Sequence, residues 1–348
     1  MTTSDIGLTN QLFNTVSPGH AIQKVINPIL PQFDKILRSY VLFNLIFLSL
    51  GFLEFILLIV FFTFLTQSAI LAFSLAVVFL TFFSYFILKL YYQAQKPEQL
   101  YELKERYIRA CKGVLNYQEN SAEHLVSLAN AVSKLSEALA GREYTLINLP
   151  TWLSALQPYI ERFSCWYHWH DVYQMRELLL NSAVEENIKL VKCEPTSLEA
   201  HAALANSYIM LSGLYIDPKK NEKAQEERWV PEEAFFAELA NKFRWTAERA
   251  VEEFKIINDF APEDPWVHAQ LAYSYHDLQM PLQEINEYEI LLKIDPEDSD
   301  TLLRLGILYF QQGMNAKGLC IYEKLKEIDP RRAEELMKYY GSFRSPSS

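Results

Sequence analysis

The sequence predicts an all-α protein: an apolar helical hairpin near the N-terminus, then a stacked helical solenoid carrying long inserts. Two observations carry this reading. The runs 41–65 and 70–88 are almost unbroken hydrocarbon and are separated only by Thr66, Gln67, Ser68 and Ala69. Downstream, Pro262, Pro296 and Pro330 recur at a period of 34 residues, each just after a helical pattern. Repetition at such a period is the signature of stacked helix pairs that bury their apolar faces against their neighbours.

The chain of 348 residues has room for two or more modules and a sizeable core. Its formal net charge is −11, and the first 92 residues are nearly neutral, so the acidic excess falls on the remainder. An acidic domain of that kind suits neither a phosphate backbone nor anionic lipid headgroups, which excludes nucleic acid and favours a neutral or basic protein partner. The four cysteines, Cys111, Cys165, Cys193 and Cys320, are widely spaced and form no CxxC pair, as expected of reduced thiols facing a cytosol.

From the N-terminus, residues 1–40 are not a secretory signal, because a polar stretch with Pro18, Pro28 and Pro31 precedes any long apolar run. Ile22, Ile26, Ile29, Phe33, Ile36 and Leu37 recur near helical spacing with Lys24, Lys35 and Arg38 between them, which fits an interfacial helix or, given the prolines, a loose tail.

Residues 41–92 read as a transmembrane hairpin, since each run reaches the about 20 residues a helix needs to cross the hydrocarbon core. The turn carries no charge, whereas Lys35 and Arg38 precede the first span and Lys89 and Lys96 follow the second. By the positive-inside rule both termini face the cytoplasm. Glu54 is the one ionisable group deep in a span, and its depth matches that of Thr81. A hydrogen bond from Thr81 or Ser84 would make it structural glue. The alternative is an oligomeric transport or channel component in which Glu54 lines a passage.

In residues 93–195, Pro97 marks a helix start followed by Leu100, Leu103, Tyr107, Cys111 and Val114 on one face, and Ser121 opens a second helix with Leu125, Leu128, Val132 and Leu135 as its stripe. Leu128, Ala129 and Val132 fit the first helix of a divergent repeat, and Ala183, Leu190 and Pro195 fit its second, with an insert over 141–163. Residues 196–330 hold clearer units. Leu204, Ala205 and Tyr208 open one whose second helix carries Ala250, Phe254 and Ile257, after an insert over 217–240 with a charged run at 218–228. That run reads as a solvated loop, and the stretch after Pro231 as an extension of the second helix. The next two units superpose in register: Leu271, Ala272 and Tyr275 on Leu305, Gly306 and Tyr309, then Tyr288 and Leu291 on Tyr322 and Leu325. Pro281 opens one second helix and Gly313 supplies the turn before the other. Residues 331–348 supply a capping helix and a tail.

These positions resemble the tetratricopeptide repeat (TPR) family, whose pattern of Trp, Leu-Gly, Tyr, Gly, Ala, Phe, Ala and Pro is met at most places. His268 and Leu302 depart from it at the early aromatic, and Glu284 and Gly318 at an alanine. The stretches AYSYHDLQMP and YFQQGMNAKGL are also similar to TPR membrane proteins of chlamydial-type bacteria, which implies a bacterial inner membrane. The resemblance further implies a groove, lined by the first helix of each unit, that holds a peptide. Carried over by position, its surface is Asn206, Ile209 and Met210, then Trp266, Gln270, Tyr273, His276 and Asp277, then Leu303, Arg304, Ile307, Phe310 and Gln311. Trp266 and Tyr273 are the expected anchors. Some family members clamp a C-terminal carboxylate with lysines, and here Ala202 and Asp300 occupy those positions, so no such clamp is expected.

Residues 165–171, Cys-Trp-Tyr-His-Trp-His-Asp, hold atom types a metal enzyme could use, but on a helix His168 and His170 are about 200° apart and point to opposite faces. Trp152, Tyr159, Phe163, Trp166, Tyr167 and Tyr173 read as core at helical spacing rather than as an aromatic cage. No phosphate loop, HExxH, nucleophile elbow or dinucleotide fingerprint is present. The expectation is therefore no enzyme, no metal and no cofactor, and a membrane-anchored scaffold or adaptor that gathers a protein partner at the cytoplasmic face for assembly or export.

Overall fold

The computed structural model describes residues 18–60, 68–119, 121–147, 155–216 and 236–341, all helix, turn or loop with no strand among them. The polar residues 1–17, the turn at 66–67, Trp152, the charged run at 218–228 and Pro231 lie outside the described residues. The described chain forms two compact units, one ending at Glu186 and one beginning at Asn187.

The first unit is built on two long helices, α1 (Pro18–Val60) and α2 (Ser68–Leu115), packed side by side. Each holds a window long and apolar enough to cross a membrane, and none of either window is buried inside the protein. Leu48, Phe52, Phe73 and Phe79 are among the side chains left exposed there.

No break in the helix marks residue 40, because α1 runs unbroken through Pro28 and Pro31. A proline inside a helix costs about 3 kcal/mol by removing a hydrogen bond and crowding the preceding turn. Both prolines sit on the exposed face, where the Lys24 and Asn27 carbonyls that they leave without an amide donor can meet water. The opposite face buries Ile22, Ile26, Ile29, Phe33 and Leu37 in a core with Leu100, Leu103, Tyr107 and Cys111 of α2. The stripe expected at a membrane interface or in a loose tail is thus core, because helices beyond the hairpin give it a dry partner. Pro97 likewise starts no helix; it is exposed on the continuous α2.

Helix α3 (Ala122–Leu139) begins after Ser121 and turns Leu125, Leu128, Val132 and Leu135 inward, and a short α4 (Arg142–Thr145) follows a left-handed Gly141. The Tyr107 hydroxyl donates to the buried Ala131 carbonyl at 2.7 Å. Helix α5 (Gln157–Cys193) adds Val172, Met175, Leu179 and Ala183 to this core and passes into the second unit.

The second unit contains α6 (Leu198–Tyr215), α7 (Phe236–Phe260), α8 (Pro265–Asp277), α9 (Pro281–Ile294), α10 (Ser299–Gln311), α11 (Asn315–Ile328) and α12 (Pro330–Met337). Consecutive helices pack on one another throughout, giving a TPR-like solenoid. Side chains of Ser197, Asp264 and Asp298 cap α6, α8 and α10 at equivalent places, satisfying free backbone N–H groups. Gly313 turns the chain with φ of 73°, and Gln279 holds the same place one repeat earlier at 57°. Ala333 and Leu336 of α12 are buried, and Leu336 fills the space above Gly306. That contact closes the last repeat as a capping helix should.

Candidate functional site: the inner face of the repeats

The first helix of each repeat has a small residue beside a large one, so neighbouring helices approach closely and the remaining face stays available. On α6, Asn206, Ile209 and Met210 are half-buried between the fully packed Leu204, Ala205 and Tyr208. On α8, Trp266, Gln270 and Tyr273 are half-buried at spacings of four and three, which puts them on one face. The Trp266 ring meets Phe254 of α7 edge-on at 5.8 Å, which fixes its orientation.

Arg304 and Ile307 supply the corresponding face of α10. The Arg304 guanidinium stands 5.3 Å from the centre of the Tyr273 ring, a cation–π contact that joins α8 and α10. Arg304 also lies beside the Tyr288 hydroxyl, whose pKa is pushed up to about 12, chiefly by burial. Ile307 is partly buried and packs on the core of the last two repeats. Tyr273, Arg304 and Ile307 therefore form a preorganised patch with one aromatic, one cationic and one aliphatic element.

Two expected groove residues have other partners. Phe310 is fully buried; its ring covers Gly318 and meets Tyr340 edge-on at 5.3 Å, so it cannot touch a ligand. The reason is volume: glycine at position 318 opens a hole that the ring fills. His276 stays largely exposed, but its Nδ1 lies 3.0 Å from Oε1 of the buried Glu284. That pair explains why a glutamate can stand where the repeat pattern has alanine.

A second pairing was not legible as a site. His201 places Nδ1 2.6 Å from Glu253 and Nε2 3.1 Å from the Pro195 carbonyl. His268, at the same place in the next repeat, sits 2.7 Å from Glu287 and 2.9 Å from the Pro262 carbonyl. Each imidazole thus ties its own repeat to the proline that ends the one before. The signal that could have found it is histidine recurring where the pattern has tryptophan, with a glutamate just before the aromatic of the second helix.

In the first unit, Thr81 Oγ1 donates to Glu54 Oε1 at 2.7 Å, the pairing anticipated from their matched depth. Among the atom types at 165–171, His168 is buried and His170 exposed on the other side of α5. Asp171 accepts from Lys96 Nζ at 2.5 Å, with His168 Nδ1 3.6 Å from the same oxygen. The carboxylate is thereby used by a cation of the protein, and no group of three metal-ligating side chains gathers among the described residues. The aromatics expected to be core divide: Tyr173 is buried and Tyr167 half-buried, whereas Tyr159, Phe163 and Trp166 are exposed.

No protein-family model matches this chain, and no curated protein matches it. Solved structures that resemble it include MamA residues 41 to the end from Desulfovibrio magneticus RS-1, with 12% identity, covering 68% of this chain and 96% of that one at a TM-score of 0.37. Another is TTC0263, a TPR protein of Thermus thermophilus, with 18% identity, 70% and 93% coverage and a TM-score of 0.32. A third is the TPR2AB domain of yeast Sti1, solved as a complex with an Hsp90 peptide, with 17% identity, 71% and 95% coverage and a TM-score of 0.24.

Proposed function

We propose that this chain is a membrane-anchored scaffold whose hairpin spans the bilayer and whose repeats bind a protein or peptide partner at the cytoplasmic face. The observation that carries the binding reading is the patch on α8 and α10, where Trp266, Gln270 and Tyr273 stay half-buried and Arg304 is held over Tyr273. Rigid aromatic and guanidinium groups gathered on one face are the kind that dominate protein recognition. The anchoring reading is supported by two apolar windows that the rest of the protein leaves uncovered and by basic residues flanking them. Spanning helices would raise the local concentration of a captured partner beside membrane machinery.

Nothing in this arrangement asks for bond chemistry. The bound segment would be neutral or basic, because the repeats carry an acidic excess. A transport role built on Glu54 is the less favoured reading, since its carboxylate already accepts from Thr81 within the same hairpin.

The test is crosslinking and pull-down from membranes, comparing the native chain with a Trp266→Ala, Tyr273→Ala double variant that keeps its helical circular dichroism. A partner present with the first and lost with the second is the expected outcome. An identical set of partners would remove the groove reading.

A further inference from the structure

We infer that the start of α5 is a third element in contact with the membrane, its Tyr159, Phe163 and Trp166 face seated in the lipid interface beside the hairpin. This rests on the reading of α1 and α2 as spans. Tyr159 is 68% exposed, Phe163 49% and Trp166 50%. Their spacings of four and three put them on one face, and the Phe163 and Trp166 rings lie 6.0 Å apart. Three large rings turned outward together form a contiguous apolar patch that calls for a partner.

The partner follows from where the helix is pinned. Asn44 Nδ2 donates to the Tyr167 hydroxyl oxygen at 2.5 Å, and the Tyr85 hydroxyl donates to Asn44 Oδ1 at 3.1 Å. Asn44 and Tyr85 stand near one end of the hairpin's apolar runs, three residues inside the limits at 41 and 88: Leu45, Ile46 and Leu48 beyond one, and Phe82 and Phe83 beyond the other, are exposed, as are Leu42 and Phe86, Ile87 and Leu88 on the near side. One turn further along α5, Asp171 takes Lys96, and later the Tyr117 hydroxyl lies 3.4 Å from Glu186. From residues 85 to 96 of α2, and then to Tyr117 just past its end, the partners of α5 run in the same direction, away from the apolar region. The residues that precede Tyr167 lie on the opposite side of that level, toward the hydrocarbon.

At 1.5 Å per residue, Phe163 and Tyr159 stand about 6 and 12 Å beyond Tyr167 along the helix. That is the depth range of the headgroup and acyl boundary, where tyrosine and tryptophan concentrate because their rings are apolar and their O–H and N–H tips are wet. Glu161 and Arg162 on this turn balance in charge, so a neutral phospholipid surface suffices. The geometry assigns this face to lipid rather than to a protein because it is continuous, through Tyr167 and Asn44, with the hairpin surface that lipid would cover.

The experiment uses the full chain in phosphatidylcholine vesicles, with the exposed Cys193 and Cys320 replaced by serine and the buried Cys111 and Cys165 retained. An environment-sensitive fluorophore is placed at Phe163→Cys, with Phe52→Cys in the hairpin and Leu282→Cys on the exposed side of α9 as references. The expected result is a blue-shifted Phe163→Cys signal, quenched more by lipids spin-labelled near the headgroup than near the chain end and little by aqueous iodide. Quenching by iodide alone at Phe163→Cys, with Phe52→Cys still quenched by lipid, overturns the inference and leaves the spans standing. A blue-shifted signal at Phe163→Cys that neither quencher reaches also overturns it, because protein would then cover the face. Loss of lipid quenching at Phe52→Cys overturns the spans, and the inference with them.

Discussion

The Phe310 ring occupies the volume that a Cβ at Gly318 would take, so these two residues of the last repeat fit as a large and a small partner. In the preceding repeat the same two places hold His276 and Glu284, joined at 3.0 Å. A departure from the repeat pattern on the second helix is matched each time by the side chain facing it from the first. Gly318→Ala should therefore overpack the last repeat and cost about 1–3 kcal/mol, and Phe310→Leu should recover part of that loss when combined with it. Urea melts of the two single variants and the double variant measure the coupling; additive losses would mean that the two positions do not communicate.

His201 predicts a pH dependence of the repeats. Burial alone would lower its pKa, but the hydrogen bonds to Glu253 and to the Pro195 carbonyl, together with the Glu253 charge, outweigh burial and hold it above the ordinary 6.5. A raised folded value means stability fully present below about pH 6.5 and lost as pH rises through the folded pKa. The thermal midpoint should fall as pH rises above that point, and Glu253→Gln should flatten the profile. A wild-type midpoint that climbs across the same interval would refute this.

Glu54→Gln keeps an oxygen for the Thr81 hydroxyl, so the scaffold reading expects unchanged membrane assembly and partner capture. Thr81→Val removes the donor and should weaken the hairpin by about 0.6–1.7 kcal/mol, the range for such bonds in lipid. If Glu54→Gln abolished function while assembly persisted, the carboxylate would be serving a passage instead.

Gln279 carries a left-handed backbone at the place where the next repeat uses Gly313. The Met280 amide closes this turn on the Tyr275 carbonyl at 2.9 Å, as Met314 does on Tyr309 at 2.8 Å. Gln279→Gly should raise stability by up to about 1 kcal/mol, because relief of side-chain strain exceeds the entropy added to the unfolded chain. Denaturant midpoints decide it; a decrease would show that the glutamine side chain contributes contacts of its own.

The repeats were legible because their period, small-beside-large pairs and proline stops are local features that recur. The matched depth of Glu54 and Thr81 was legible for the same kind of reason, since antiparallel helices joined by a short turn fix who faces whom. Pro28, Pro31 and Pro97 misled because a proline's cost depends on which face it occupies, and burial of the opposite face by α2, α3 and α5 is a tertiary fact. Phe310 misled because its direction is set by the absence of a side chain at Gly318, eight residues away on another helix. His201 and His268 went unread because their carboxylate partners lie 52 and 19 residues away.

The measurement that most directly tests the central claim is the location of the repeats relative to a bilayer. Membranes holding the full chain are washed with alkaline carbonate, and sealed vesicles of each orientation are treated with an impermeant maleimide that can reach the exposed Cys193 and Cys320. The account predicts that the chain stays in the membrane fraction and that both cysteines are modified only where the cytoplasmic face is outward. Release by carbonate, or modification from the opposite face, would contradict it.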